Sequence, residues 1–289
     1  MAVSTLIQKE IEDLKYKYDS LKSGKQALLD IIDEIELPES VYNSNAIENS
    51  TLTISETEKI LLELEISRNV SIREVFEAQN LSKVIEFIKK NIKPEINEEL
   101  ILLLHKILIG NINDDIAGRF RKEGEYVRIG TYVALAPEYI KSSMRKILVD
   151  FSSNQSKGLI DKISEFHLKF EQIHPFIDGN GRIGRVLINY QLLQQGFPPI
   201  IIQQKEKKLY HTAFKEYDQD QDGYLMGKII SLAIKESFHK RITYLEHKEI
   251  IRLSKYAESV QITPQIVLNK AKRQTIPAFR EKGIWKIGV

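Results

Sequence analysis

Cysteine is absent from the 289-residue chain, which excludes disulfides and suits a reducing compartment. Only six histidines are present, and no two stand at zinc-ligand spacing, so a structural metal is not expected. Glycine and proline are sparse, 14 and 8. That scarcity argues against linkers and low-complexity tracts and fits a helix bundle with short connections. No long apolar run opens the chain. Charges arrive at Lys9 and Glu10, before a signal peptide or membrane span has room to form, so a cytoplasmic protein without membrane association is expected. Net charge is only +2 and identifies no partner. The 42% hydrophobic content supports a sizeable core, read as one large domain with a small appendage.

What is present is mostly helical periodicity. Leu6, Ile7, Ile11, Leu14, Tyr18 and Leu21 mark a first amphipathic helix ended by Gly24. Ser55 with Glu58, and Ser71 with Glu74, predict capping boxes for two more, and Asn97 predicts the start of a helix that exits at Gly110. One segment breaks the pattern with a dense set of polar groups: His174-Pro-Phe-Ile-Asp-Gly-Asn-Gly-Arg-Ile-Gly-Arg185. Pro175 disfavours the α conformation at His174, so the preceding helix, marked by Ile163, Phe166, Phe170 and Ile173, should end there. Gly179 and Gly181 permit close backbone approach, so the N–H groups of Asp178 to Arg182 can converge on an anion. Ile183, Val186, Leu187, Tyr190 and Leu193 then start a helix whose N-terminal dipole favours negative charge. Arg182 and Arg185 share one face of its first turn. Asp178 beside an anion calls for a cation between them. A nucleoside triphosphate with Mg²⁺ satisfies all of these groups.

This segment matches His-Pro-Phe-x-Asp-Gly-Asn-Gly-Arg-x-x-Arg at every defined position, and so resembles the signature of Fic domains, which typically transfer AMP from ATP to a hydroxyl side chain of a target protein. The resemblance implies a mainly α Fic-fold helical bundle with a short β-hairpin flap. It makes His174 the general base, with Asp178 holding Mg²⁺. Gly179, Asn180, Gly181, Arg182 and Arg185 would bind phosphates, and Phe176 would anchor the loop. Upstream, Ser44-Asn-Ala-Ile-Glu48-Asn49 resembles the inhibitory pattern Ser/Thr-x-x-x-Glu-Gly/Asn of the class whose inhibitory helix precedes the core. Glu48 would then pair with Arg185 and deny the guanidinium to ATP. Gly118-Arg-Phe-Arg and Tyr126 to Pro137, around Gly130, resemble the flap that registers an extended target segment. Tyr210 stands where the family commonly has an aromatic residue near the base. Tyr217 stands where many relatives have an amide, which leaves nucleotide selectivity open. His105 and His167 read as packing residues.

Asp218-Gln-Asp-Gln-Asp222-Gly223 begins like a calcium loop, but its twelfth position is Ile229, so an acidic turn is expected instead. From residue 241 on, ten basic residues face four acidic ones. Ile250, Leu253 and Tyr256 suggest a helix, Thr263-Pro264 starts a second one through Arg273, and Ala278 to Ile287 reads as a hairpin turning at Gly283. Together they predict a small C-terminal winged helix-turn-helix similar to excisionase-type DNA-binding modules. Lys270, Lys272, Arg273, Arg280, Lys282 and Lys286 would meet phosphates if the partner is DNA. Docking to a protein is equally compatible.

The expected layout is an N-terminal helical region carrying the inhibitory motif over 1–96, a Fic core over 97–240 and the basic module over 241–289. The leading expectation is an autoinhibited protein adenylyltransferase using ATP and Mg²⁺ on a Ser, Thr or Tyr hydroxyl. Transfer of another nucleotide, de-AMPylation, kinase-like phosphorylation, and a DNA-binding regulator with a nucleotide-sensing core are the alternatives. Intact Gly179, Arg182 and Arg185 argue against the kinase-like one. A homo-oligomer is compatible with the resemblance.

Overall fold

Helix-forming periodicity and well-made caps carry most of the chain into helices in the computed structural model, which describes residues 3–63, 70–92, 95–129, 132–154 and 156–289, the side chain of Tyr132 excepted. Helices α1 (Thr5–Lys22) and α2 (Gln26–Ile47) are followed by a short α3 (Ile54–Glu58). Helices α4 (Ile72–Lys90) and α5 (Glu98–Ile109) precede a two-residue hairpin, β1 (Arg128–Ile129) and β2 (Tyr132–Val133). Then come α6 (Ile140–Ser153), α7 (Leu159–Ile173), α8 (Asn180–Gln194), α9 (Lys207–Asp220) and α10 (Tyr224–Leu245). No described helix is long and apolar enough to cross a membrane.

Caps follow the sequence with one shift. Asn97 Oδ1 accepts from the Leu100 N–H at 2.8 Å, and Ser71 Oγ accepts from that of Glu74 at 3.2 Å. The expected box at Ser55 and Glu58 stands two residues earlier: Thr53 and Glu56 exchange both bonds, because Thr53 keeps the extended backbone an N-cap needs. Asp218 and Asp220 lie inside α9 rather than in a turn, and the chain reverses at Gln221 with φ 54°.

Two apolar cores meet at the pair α7 and α8. Phe166, Phe170, Ile183 and Leu187 join Ile101, Leu104, Leu108 and Met144 in one core. Ile163, Leu168, Ile188 and Leu192 join Ile11, Ile32, Ile230 and Phe238 in the other. Each such side chain stabilises by about 1.5–3 kcal/mol on burial, so both helices are clamped from two sides. The loop between them inherits that rigidity.

The C-terminal unit has its own small core of Leu253, Ala257, Val267, Ala271, Ala278 and Ile287. Its order is β3 (Ile250–Arg252), α11 (Leu253–Ser259), α12 (Pro264–Lys272), β4 (Ala278–Glu281) and β5 (Ile284–Gly288), with β5 central in an antiparallel sheet ordered β3-β5-β4. Ile250 is thus in a strand, not in the helix its spacing with Leu253 suggested, because it pairs with Gly288. The expected phosphate contacts of the hairpin are corrected as well. Arg280 donates to Glu236 and Glu206, Lys282 to Glu58, and Lys286 to Glu281. Arg280 and Lys282 thus tie the hairpin to the body, while Lys286 pairs with Glu281 of β4 within the hairpin itself. At its tip the N–H groups of Lys282 and Gly283 donate to the buried carboxylate of Glu39 on α2, at 2.8 and 3.1 Å.

One residue ties the flap to the loop. Arg121 is 4% exposed, and its guanidinium donates to the carbonyls of His174 (2.9 Å), Glu125 (2.9 Å), Leu135 (2.7 Å) and Ile173 (3.3 Å). Its own N–H donates to the Pro175 carbonyl at 2.9 Å. Replacing it by Met keeps bulk but orphans buried acceptors, so Arg121→Met is expected to cost about 3 kcal/mol in urea unfolding. An unchanged midpoint would show that the hub is dispensable.

Candidate active site

The turn from α7 to α8 begins with a left-handed residue. His174 has φ 49°, ψ 61° and closes α7 with its N–H on the Phe170 carbonyl. Proline after it forbids the ordinary helical conformation, so the chain leaves the helix there. The side chain is 18% exposed and Nδ1 is buried, so its accessible edge carries Nε2.

Phe176, fully buried, is the loop's anchor. Its ring stacks on His105 at 3.7 Å between centroids with 4° between planes and packs at 5.5 Å from Phe120. Asn180 braces the same residue: its Nδ2 donates to the Phe176 carbonyl and its Oδ1 accepts from the Phe176 N–H, both at 2.9 Å. The Asn180 side chain is therefore occupied with loop structure, not turned to an anion as the motif suggested. What remains for an anion is the backbone. Gly179 precedes α8 with φ 83°, and the N–H groups of Asn180, Gly181 and Arg182 stand in a first turn that has no intrahelical acceptors to offer them.

His105 does more than pack. Its Nδ1 accepts from the Gly118 N–H at 3.0 Å, which leaves Nε2 to donate to the Asp178 carbonyl at 3.0 Å. His167, also buried, has Nε2 2.6 Å from the Tyr210 hydroxyl. Burial pushes His105 down to about 4 and His167 down to about 3. Both are neutral supports, and the periodic pattern that placed them in the core held no sign of the bonds they make.

The carboxylates and guanidiniums of the loop are partnered. Asp178 accepts from the Gly179 N–H at 2.6 Å, from Arg182 at 3.1 Å and from Arg73 of α4. Burial would raise its pKa, but Arg182 and Arg73 hold it below the usual carboxylate range. Glu77, one turn beyond Arg73, faces Arg182 at 3.3 Å. Neither Arg73 nor Glu77 belongs to a recognisable motif. They reach the loop only because α4 packs on α8.

Arg185 is gripped on three atoms by the last turn of α2. Its Nε donates to Ser44 Oγ (3.0 Å), one terminal nitrogen to the Ser44 carbonyl (2.8 Å) and the other to Glu48 Oε1 (2.9 Å). Ser44 and Glu48, four apart, share a face, and the Ser44 carbonyl belongs to the helix end where acceptors are unsatisfied. Asn49 follows with φ 71°, the left-handed position that favours Asn or Gly after a helix, and its Oδ1 accepts from Lys207 at 2.8 Å. Burial would raise the Glu48 carboxyl, but Arg185, with Arg182 and His211, holds it low. Gly181 makes room: a Cβ there would lie 2.2 Å from Glu48 Oε1.

Tyr210 is corrected. It is 2% exposed, meets Phe214 edge-on at 5.0 Å and lies under the Arg185 guanidinium at 5.8 Å, so its ring offers no open face to a base. Tyr217 is buried too. Gly130 of the flap lies outside the described residues; the flanking strands pair Arg128 with Val133 and Ile129 with Tyr132.

A single carboxylate is what Mg²⁺ needs when phosphate oxygens and water supply its other ligands. Asp178, one-third exposed, fits that role once the Arg73 guanidinium moves aside. No group of three or more His, Cys, Asp or Glu side chains able to hold a metal occurs among the described residues.

Residues 95–192 match the Fic/DOC family. Over 180 residues the chain is 32% identical to protein adenylyltransferase fic-1 of Caenorhabditis elegans, covering 60% of this chain and 35% of that protein. Over 217 residues it is 32% identical to protein adenylyltransferase Fic of Drosophila persimilis, covering 72% and 42%. The chain thus spans less than half the length of these relatives. Among solved structures, a Fic domain containing signaling protein from Bacteroides thetaiotaomicron superposes with a TM-score of 0.73 at 24% identity, over 83% of this chain and 97% of that one. Fic-1 from C. elegans gives 0.70 at 25%, over 81% and 71%. A Fic family protein from Desulfovibrio desulfuricans gives 0.67 at 17%, over 96% and 95%.

The buried imidazoles set an acid limit. Unfolded histidine titrates near 6.5, whereas His105, His167 and His239 stay neutral down to about 4, 3 and 4. The unfolded chain binds these protons first, so their stability contribution is whole above pH 6.5 and is lost as pH falls from there toward 4. The urea midpoint should therefore be lower at pH 5 than at pH 7, and His105→Gln should flatten the fall.

Proposed function

We infer, from a chain whose residues 95–192 form a Fic/DOC family domain, that the protein moves AMP from ATP to a hydroxyl side chain of a target protein, with Glu48 restraining the reaction in the resting chain. The observation that carries this reading is the gathering of an accessible imidazole edge, the opening amides of α8, Asp178 and two guanidiniums around one helix N-terminus, with a foreign carboxylate seated on Arg185. The curated relatives bearing the name protein adenylyltransferase support the same chemistry.

The steps follow from the groups. The α8 amides, Arg182 and Arg185 receive the polyphosphate. His174 Nε2 takes the proton from the target hydroxyl as that oxygen bonds to the α-phosphorus and the bond to pyrophosphate breaks. Mg²⁺ on Asp178 would neutralise phosphate charge and steady the leaving group. The exposed edge of the flap hairpin registers the target segment by main-chain pairing. Arg185, buried and always charged, takes either the Glu48 carboxylate or a phosphate as its counterion, so the two compete. A chain without cysteine suits a reducing, cytoplasmic setting.

A second role belongs to the basic unit from residue 241 on, which we assign to docking on duplex DNA or an acidic protein surface. Lys270, Lys272 and Arg273 are exposed on α12 and at its end and make no ion pair among the described residues. With the hairpin cations paired, this helix contributes to the contact together with the exposed Arg252 and Lys255.

With α-labelled ATP, Glu48→Gly should raise label transfer to protein at least about tenfold, the equivalent of about 1.4 kcal/mol, and His174→Ala in that background should abolish it. Equal labelling by wild type and Glu48→Gly at all ATP concentrations would remove the restraint. For the basic unit, replacing Lys270, Lys272 and Arg273 by Ala should lower the slope of log affinity for duplex DNA against log salt by about 0.9 per lost phosphate contact. An unchanged slope, with an acidic protein partner lost instead, would assign the face to protein docking.

A further inference from the structure

Three residues before His174, on the same face of α7, Glu171 holds a buried carboxylate that no described group satisfies. Its Oε1 has no hydrogen-bond partner, and neither does Nδ1 of His174. The two side chains nevertheless face each other, with Oε2 3.6 Å from Nδ1 and the carboxylate only 14% exposed. Leaving a carboxylate in that condition costs stability, and packing alone would be served as well by an apolar side chain. The backbone leaves room for the arrangement: a Cβ at Gly184 of α8 would come within 2.9 Å of Glu171 Oε1 and 2.8 Å of His167 Nδ1, so a side chain there would have to displace one or both.

We propose that Glu171 is the positioning residue for the base, fixing the His174 ring with its proton on Nδ1 so that Nε2 is free to take the proton from the target hydroxyl. This rests on the AMP-transfer reading above. The other titratable groups near the carboxylate make no hydrogen bond to its Oε1. His167 lies one turn back, buried and neutral; its Nε2 is on Tyr210, and its Nδ1, like Glu171 Oε1, is buried without a hydrogen-bond partner. Tyr210 and His211 of α9 feel the Glu171 charge, but both stand on the side of Arg185 and Glu48. His174 is the partner whose ring gains a charge during the reaction. As the hydroxyl oxygen bonds to the α-phosphorus and pyrophosphate departs, the proton goes to Nε2, and the imidazolium formed is stabilised by the Glu171 carboxylate, which itself takes no proton. A gap of 3.6 Å is longer than a hydrogen bond, and such contacts tighten in the reacting complex.

The test uses the full chain in the Glu48→Gly background. Glu171→Gln, which preserves shape, should lower kcat for AMP transfer about 10- to 100-fold and leave KM for ATP unchanged within about twofold, while Glu171→Asp recovers part of the rate. Independently of activity, ¹⁵N ring spectra with His174 assigned by its loss in His174→Ala should report the Nδ1–H tautomer, and the ring resonances should move toward a mixed tautomer in Glu171→Gln. A His174 tautomer that Glu171→Gln leaves unmoved would overturn the proposal even if AMP transfer is intact. A ring that responds to Glu171 in a protein transferring no AMP would instead remove the transfer reading and keep the pairing.

Discussion

A guanidinium buried to 6% exposure cannot stand without an anion, and Arg185 is where that constraint acts. Taking such a charge from water costs several kcal/mol unless hydrogen bonds and an opposite charge repay it. Ser44, its carbonyl and Glu48 do so. The position of α2, the absence of a side chain at Gly181 and the left-handed Asn49 all serve this one contact. It joins the end of α2 to the first turn of α8.

Around it the loop is rigid by layers. Phe176 is fixed by the His105 ring on its side chain and by two hydrogen bonds of the Asn180 amide on its backbone. Arg121 fastens the His174 and Pro175 carbonyls to the base of the flap. Neutral imidazoles suit these places: a cation at His105 or His167 would add repulsion to Arg182 and Arg185, and burial prevents it. The functional groups therefore stand on a surface whose shape is set before any ligand arrives, which is what transition-state stabilisation by fixed donors requires.

The C-terminal unit joins this scheme through charge as well. Glu39, on the same helix α2 that carries Ser44, receives two amides from the hairpin tip. Arg280 is drawn inward by Glu236 and Glu206 and lies 4.7 Å above the Trp285 ring. A basic composition thus divides into cations that fasten the unit to the body, a lysine paired within the hairpin, and cations that face solvent, those of α12 among them. Residue counts alone cannot separate them.

The sequence by itself determined the local features: the break at His174 from the proline after it, the αL turn at Gly179, the helical frame that sets Ser44 and Glu48 on one face, and the apolar patterning of α7 and α8. These depend on neighbours within a few residues, where sterics and periodicity act. Tertiary structure decided what joins distant segments: Arg73 and Glu77 beside Asp178, Arg121 under the loop, Tyr210 hidden beneath Arg185, and Arg280 and Lys282 of the hairpin paired with acids of the body. Such pairings have no spacing to betray them, since a charged residue on a helix reads alike whether it meets water or a partner far away along the chain. Only packing fixes which it meets, and the low dielectric of the interior then makes that choice count.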